Sequence, residues 1–234
     1  MNLISKTIIL TEKKSKYETS LFTIFALSTL FTCYGIAAML GHVEPWLPLI
    51  SDCAVEYPEA YIFRAGLTLS SFFIFFNSYQ MYLCLKNIHK YHVYGNIFSN
   101  VSLIISLFST ICLGIVAVVN EKENDKLHSL AAITFFTLQT LYMWIILVLL
   151  KINENKNFLH KYLNLTKTII VILYTIDILC CALFVSNFND NKIKIAITEW
   201  LAMILICLFN VSFVSNYKNN MGIAILWNDC NHVE

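Results

Sequence analysis

The chain has 234 residues, 58% of them hydrophobic and only 13% charged, with a net charge of +1 and a mean hydropathy of +0.65. A soluble domain is about 45–50% apolar and about 25% charged, so a water-soluble globule is excluded: an interior this small cannot hide that much apolar surface. The single arginine, Arg64, and the absence of any Lys/Arg-rich tract exclude a nucleic-acid-binding surface.

A helix needs about 20 apolar residues to cross a hydrocarbon core of roughly 30 Å. Taken in chain order, the first such stretch covers 20–40. Lys6, Lys13, Lys14 and Lys16 precede it, as in a signal peptide, and Ala37-Ala38 resembles a cleavage site. Its apolar core is about 20 residues, against about 7–15 in a signal peptide, which predicts a retained helix. The connection that follows, Gly41 to Phe63, holds all three prolines of the chain, Pro45, Pro48 and Pro58. Proline fixes φ and removes a donor, so a stiff loop is expected. Trp46 suits a bilayer interface. Pro58-Glu59 reads as a helix start, a proline in the first turn followed by an acid at the positive end of the dipole.

The second span is read over 62–85, with Arg64 at its head and Cys84, beside Lys86 near a membrane edge, as a small apolar helix residue, palmitoylation being the alternative. The third covers 97–119, and the fourth 128–150, opened by His128. The fifth, 163–186, carries Asp177, about nine residues or roughly 13 Å from the nearer end. A carboxylate at that depth must face the bundle interior, and Thr137 and Gln139 are its expected partners. It is read as a helix–helix hydrogen bond, with a proton or ion pathway as the alternative. The sixth span, 195–216, has Glu199-Trp200 near its head. After it, the apolar MGIAILW stretch at 221–227 either lies along the membrane surface or is a disordered tail. Ser70, Ser71, Asn77, Ser102, Ser106 and Asn210 read as packing residues within the spans. No CxxC occurs among the eight cysteines, which removes support for zinc-finger or thioredoxin chemistry, and Cys53 has no expected disulfide partner.

The expected fold is therefore all-α: a polytopic membrane protein with six transmembrane helices in a single domain over 1–234. Placing both termini in the cytosol puts eleven of the sixteen Lys and Arg residues there, and leaves Arg64, Lys122, Lys126, Lys192 and Lys194 on the far side. The sequons at Asn100, Asn164 and Asn210 are then cytosolic or inside helices and carry no glycan. In this arrangement Asp52, Glu56, Glu59, Arg64, His128 and Glu199 share the far, luminal side as one polar cluster. Two readings of it stay open. In one, Arg64 pairs with a loop carboxylate, Glu199 caps its helix dipole, and the loop of Pro45, Trp46, Pro48, Ser51 and Pro58 is pinned onto the bundle. In the other, the cluster binds a lipid headgroup or small ligand, with candidate general acids and bases and one cation for phosphate. No Ser–His–Asp or metal-ligand spacing occurs, so no catalytic residue, metal or cofactor is expected.

The first loop, GHVEPWLPLISDCAVEYPEAYIF, carries a GHV-x-P-x-LP-x-ISD block followed by a P-E pair: Gly41, His42, Val43, Pro45, Leu47, Pro48, Ile50, Ser51, Asp52, Pro58 and Glu59. With His128 after a short acidic connection, and Glu199-Trp200 on the last span, it resembles the DRAM family, the damage-regulated autophagy modulators. The chain departs from the family where His128 is followed by Ser129-Leu130-Ala131-Ala132 rather than glycine-rich residues. The resemblance implies a six-helix protein of lysosomal or other endomembranes, the plasma membrane being the alternative site. It implies a non-enzymatic modulator of autophagy and lysosome function, acting through membrane lipids and other membrane proteins. The wider superfamily adds a second expectation, lipid-headgroup binding or lipid remodelling, and Asp177 a third, a small-solute or proton-coupled transporter.

Overall fold

The computed structural model describes residues 3–88, 93–152, 158–186 and 188–213, with side chains over 20–86, 93–152, 164–186 and 191–213. Six helices make up nearly all of it: α1 (Leu3–Leu40), α2 (Glu59–Ile88), α3 (Val93–Val118), α4 (Glu121–Ile152), α5 (Phe158–Val185) and α6 (Phe188–Val211). One 3₁₀ turn, Asp52–Ala54, interrupts the α1–α2 connection, and no strand occurs among the described residues. All six helices contain a stretch long and apolar enough to cross a membrane. The chain is an all-α integral membrane protein.

Each helix packs against its sequence neighbours, and α6 closes against α1. The α1 contribution follows helical spacing: Phe22, Ala26, Leu30, Cys33 and Ala37 are buried, while Ile24, Phe31, Met39 and Leu40 face outward. α6 is the most buried helix and α5 the least. α5 turns Leu165, Ile169, Ile172, Leu173, Ile176, Leu179 and Leu183 outward, an apolar surface that only lipid solvates without cost.

Helix ends depart from the apolar runs, most of all in α1, α4 and α6. α4 begins at Glu121 and breaks at Asn124 (φ −161°, ψ 87°), where Asn124 Oδ1 accepts the Leu127 N–H at 3.1 Å as an N-cap. His128 therefore lies a turn inside the long segment and does not open it. α6 starts at Phe188, so Glu199 is eleven residues, about 16 Å, beyond the helix start and caps no dipole. The same helix ends at Val211, with Ser212 and Phe213 in a turn, short of the expected 216. The MGIAILW stretch and the side chains of Lys6, Lys13, Lys14 and Lys16 lie outside the described residues.

Polar side chains inside the helices mostly satisfy themselves. Ser70, Ser71, Ser102 and Asn210 each donate to a carbonyl three or four residues back, at 2.8–2.9 Å, which suits a medium without water. Asn77 differs: it is 5% exposed and neither amide atom has a partner. Asp177 is buried and its Oδ2 is unpartnered. Its expected partners lie elsewhere: Gln139 accepts from the Ser109 hydroxyl at 3.2 Å, and Thr137 is exposed. Cys84 is buried at 3% exposure.

The tightest helix contact joins α1 and α2. A Cβ placed on Gly66 would lie 1.9 Å from Thr29 Oγ1 and 2.8 Å from Thr29 Cβ. No rotamer of Thr29 clears the second distance, so only glycine fits. Gly66→Ala is expected to destabilise the bundle by about 1–3 kcal/mol, the usual range for overpacking, and Thr29→Gly in the same chain to recover most of that loss. Thermal unfolding in detergent measures both; equal melting of Gly66→Ala and wild type would remove the close approach.

Candidate functional site

The distinctive feature at one end of the bundle is the connection between α1 and α2, residues 41–58. Its geometry is set from the first residue. Gly41 takes φ +74°, a left-handed value that glycine reaches without steric cost. Its N–H bonds Ala38 O at 3.3 Å, and the His42 N–H bonds Ala37 O at 2.8 Å. This is a Schellman ending, and it fixes where the His42 ring goes. The His42 Nδ1–H donates to Glu59 Oε1 at 2.5 Å, so the last turn of α1 is tied to the first turn of α2. Glu59 is 0% exposed, and its second oxygen has no partner.

From there the loop turns into the ring of helices instead of lying across it. Pro48, Leu49, Ser51, Cys53 and Ala54 are buried. A non-helical segment inside a bundle must find partners for its backbone groups, and side chains of α1 and α6 supply them. Tyr34 donates to Pro45 O at 2.6 Å. The Trp200 indole N–H donates to Pro48 O at 3.0 Å. Glu199 Oε2 accepts the Ile50 N–H at 3.0 Å. Leu49 packs with Ile195 and Ala196 of α6 and against Cys181 and Phe184 of α5. Leu47 is held at φ +40°, a conformation costing a branched residue about 1–3 kcal/mol, between the exposed Trp46 and the clamped Pro48 carbonyl. Trp200 is itself wedged between Phe31 and Tyr34, at ring separations of 5.5 and 5.7 Å. The peptide bond before Pro58 is cis.

The charged residues pin the rim. Lys192 donates to Asp52 at 3.0 Å, Lys122 to Glu56, and Arg64 to Glu123 at 2.5 Å. These pairs lie at the exposed rim, where solvent screens them, and they contribute little to stability. Lys122, first through its hydrogen bond and then through its charge, holds Glu56 below the usual carboxylate range. The contact is accordingly intact at neutral pH and is lost as acid protonates Glu56. Burial, and then the Asp52 carboxylate, push the Cys53 thiol up to about 12, so it stays a protonated and unreactive thiol. Seven cysteines among the described residues are free.

Of the six residues read as one polar cluster, none bonds another. Each pins a different neighbour. Arg64 meets a carboxylate of α4 instead of one from the first loop, and the His128 Nδ1–H donates to Val119 O at 2.6 Å, closing the end of α3. Asp52 and Glu56 line an outer cleft, and His128 and Glu199 share a cavity of about 40 Å³ beneath Ile50 and Ser51, otherwise walled by apolar side chains such as Leu30, Phe135 and Met203. That is room for a single water. Outside the clamp, a larger cleft of about 450 Å³ opens between the loop and the start of α6. His42, Lys122, Lys192 and Glu123 were the partners that sequence alone did not single out. The first lay inside the quoted block, and the others were visible only as charges of the connecting segments. No group of three or more His, Cys, Asp or Glu able to hold a metal occurs among the described residues.

The clamp predicts a graded response. Glu199→Gln keeps an oxygen for the Ile50 N–H and should melt near wild type. Glu199→Leu leaves that donor buried and unpaired, a loss of about 1–3 kcal/mol. Trp200→Phe, which keeps the ring packing, should lose about 1 kcal/mol. Limited proteolysis of the 41–58 loop in nanodiscs, alongside thermal unfolding, reads all three; equal protection in Glu199→Leu and wild type would show that the loop is held by something else.

Comparison with known proteins agrees with this architecture. The model of the Frag1/DRAM/Sfk1/Cwh43P N-terminal domain matches residues 19–218, which takes in all six spans and the clamped loop. The DNA damage-regulated autophagy modulator protein 1 of Xenopus laevis is 29% identical over 128 residues, 53% of this chain and 52% of that protein. Its human namesake is 30% identical over 110 residues, 47% of this chain and 46% of that protein. The DNA damage-regulated autophagy modulator protein 2 of Mus musculus is 27% identical over 131 residues, 54% and 47% of the two chains. The aligned regions span about half the length of these curated relatives. No solved structure matches. With the family model covering 19–218, the chain belongs to the Frag1/DRAM/Sfk1/Cwh43P family, on its DRAM side.

Proposed function

We propose that this protein is a non-enzymatic modulator of autophagy and lysosome function, resident in lysosomal or other endomembranes. It acts through membrane lipids and other membrane proteins. The observation that carries this reading is the family match over 19–218 together with relatives named as autophagy modulators. The site chemistry supports the non-enzymatic part. Asp52, Glu56, Glu59, Arg64, His128 and Glu199 are each bonded to a structural partner, an arrangement that fixes shape instead of moving protons. The loop turns Trp46 and Tyr57 outward, beside the exposed Tyr61 in the first turn of α2, and the two tyrosine rings meet at a tilt, 4.5 Å apart. Such residues favour the headgroup layer.

The lysine distribution supports an orientation with both termini in the cytosol and the clamped loop in the lumen. An Asn-x-Thr sequon introduced near Glu44 should then acquire a glycan, and one introduced after residue 218 should not; the opposite pattern inverts the topology. For the role itself, deletion of the gene is expected to change autophagic flux, and a tagged wild-type copy to restore it while co-localising with lysosomal markers. Glu199→Leu should fail to restore flux through loss of protein. Normal flux in the complete knockout overturns the proposal.

A further inference from the structure

The 450 Å³ cleft beside the clamp has an anatomy that the clamp does not use. Its volume falls within the range of small-ligand sites, about 300–1,000 Å³. One wall is apolar and includes Leu47 and Ile193; the rest of the lining includes Trp46, Glu44, Asp52 and Lys192. Three features define what fits. Trp46 is 76% exposed, so its indole face is unspent on protein packing and open to a cation. Asp52 and Glu56 are met by Lys192 and Lys122, whereas Glu44 makes no ion pair among the described residues and leaves the lining an unspent carboxylate, which disfavours a purely anionic occupant. Lys192 remains as a donor for a negative group, because its contact with Asp52 is a rim pair, with the lysine side chain 54% exposed, and such pairs exchange partners at little cost. The cleft therefore offers a cation-attracting aromatic and acidic side, an anion-attracting lysine, and an apolar floor, at the end of a bundle whose outer surface is solvated by lipid.

We propose that this cleft binds the zwitterionic headgroup of a phospholipid, a substituted ammonium linked to a phosphodiester. The ammonium lies against Trp46 and Glu44, and the phosphodiester against Lys192. The apolar wall of Leu47 and Ile193 meets the start of the glycerol and chains. This goes beyond the autophagy reading and does not depend on it, since it concerns headgroup chemistry alone.

Native mass spectrometry of the full chain released from nanodiscs tests it, with phosphatidylcholine or phosphatidylethanolamine in one set and phosphatidylglycerol, which lacks the ammonium, in another. Retention of the zwitterionic lipids over phosphatidylglycerol is expected. Trp46→Ala should weaken retention by about three- to thirtyfold, the span of a cation–π contact, and Glu44→Gln and Lys192→Gln should each weaken it in the same direction. Trp46 and Glu44 lie on the exposed rim, so melting temperatures near wild type are expected for those variants and separate a lost ligand from a lost fold. Soluble glycerophosphocholine, titrated against the wild type in detergent, distinguishes the source. Competition with the lipid supports the headgroup chemistry, and binding of the soluble compound with no retained lipid assigns the cleft to a free zwitterion. Equal retention of phosphatidylglycerol and phosphatidylcholine, or retention unchanged in all three variants, overturns the proposal.

Discussion

The structure turns on how an irregular segment is kept inside a helical bundle. Helices bring their own hydrogen bonds into lipid, but a loop does not. The middle of the 41–58 loop, from Pro48 to Ala54, enters the ring of helices, and loop backbone groups are met by named side chains: Tyr34 for Pro45 O, Trp200 for Pro48 O and Glu199 for Ile50 N. Each replaces a hydrogen bond that water would otherwise make, and a buried group left without one costs about 1–3 kcal/mol. The position of the loop is consequently set by α1 and α6, the two helices at opposite ends of the sequence.

That constraint explains features that look unrelated. Trp200 sits in the interior of α6, where its ring packs on Phe31 and Tyr34 while its one donor reaches the loop; a phenylalanine would fill the space without holding the loop. Leu47 tolerates a left-handed backbone because the residues after it are anchored. The carboxylates divide by depth. Glu59 and Glu199 bond an imidazole and a backbone N–H inside. Asp52, Glu56 and Glu123 meet Lys192, Lys122 and Arg64 at the rim, where pairing is weak and screened by salt.

The helices were legible in the sequence because crossing a bilayer requires an uninterrupted apolar run, and six such runs are present. Their ends were less legible. Apolar composition stops at the edge of the hydrocarbon, whereas helical backbone continues through largely polar stretches such as 188–194. That is why Glu199 read as a first-turn acid although it lies eleven residues beyond the start of α6. The residue types of the site were legible as well, but their pairing was not. Arg64 could meet any nearby carboxylate, and it pairs with Glu123, next to the Asn124 break, a position that no pattern along the chain marks. Asp177 and Asn77 show the limit from the other side. Sequence marks them as polar residues within apolar spans, but no pattern along the chain tells which helix face will meet them. The buried Asp177 Oδ2 and Asn77 amide remain unpartnered.

The loop also touches α5, the least buried helix. α5 exposes most of its length, and besides Trp144–Thr175 and Tyr174–Phe136 on the α4 side it is held at its far end by Cys181 and Phe184 packing near Leu49. Leu49 thus touches an α5–α6 seam while its chain neighbours bond α1 and α6. The same short stretch, from Leu47 to Asp52, forms one wall of the outer cleft. An occupant of the cleft would contact the outer side of residues whose inner side binds the helices together. Recognition at the rim and cohesion of the bundle therefore share a segment, with Leu49 facing both, but the exposed side chains are turned outward and the backbone groups inward. This separation lets rim residues such as Glu44 and Trp46 vary in what they bind without loosening the helices, while the residues beneath them are fixed by packing.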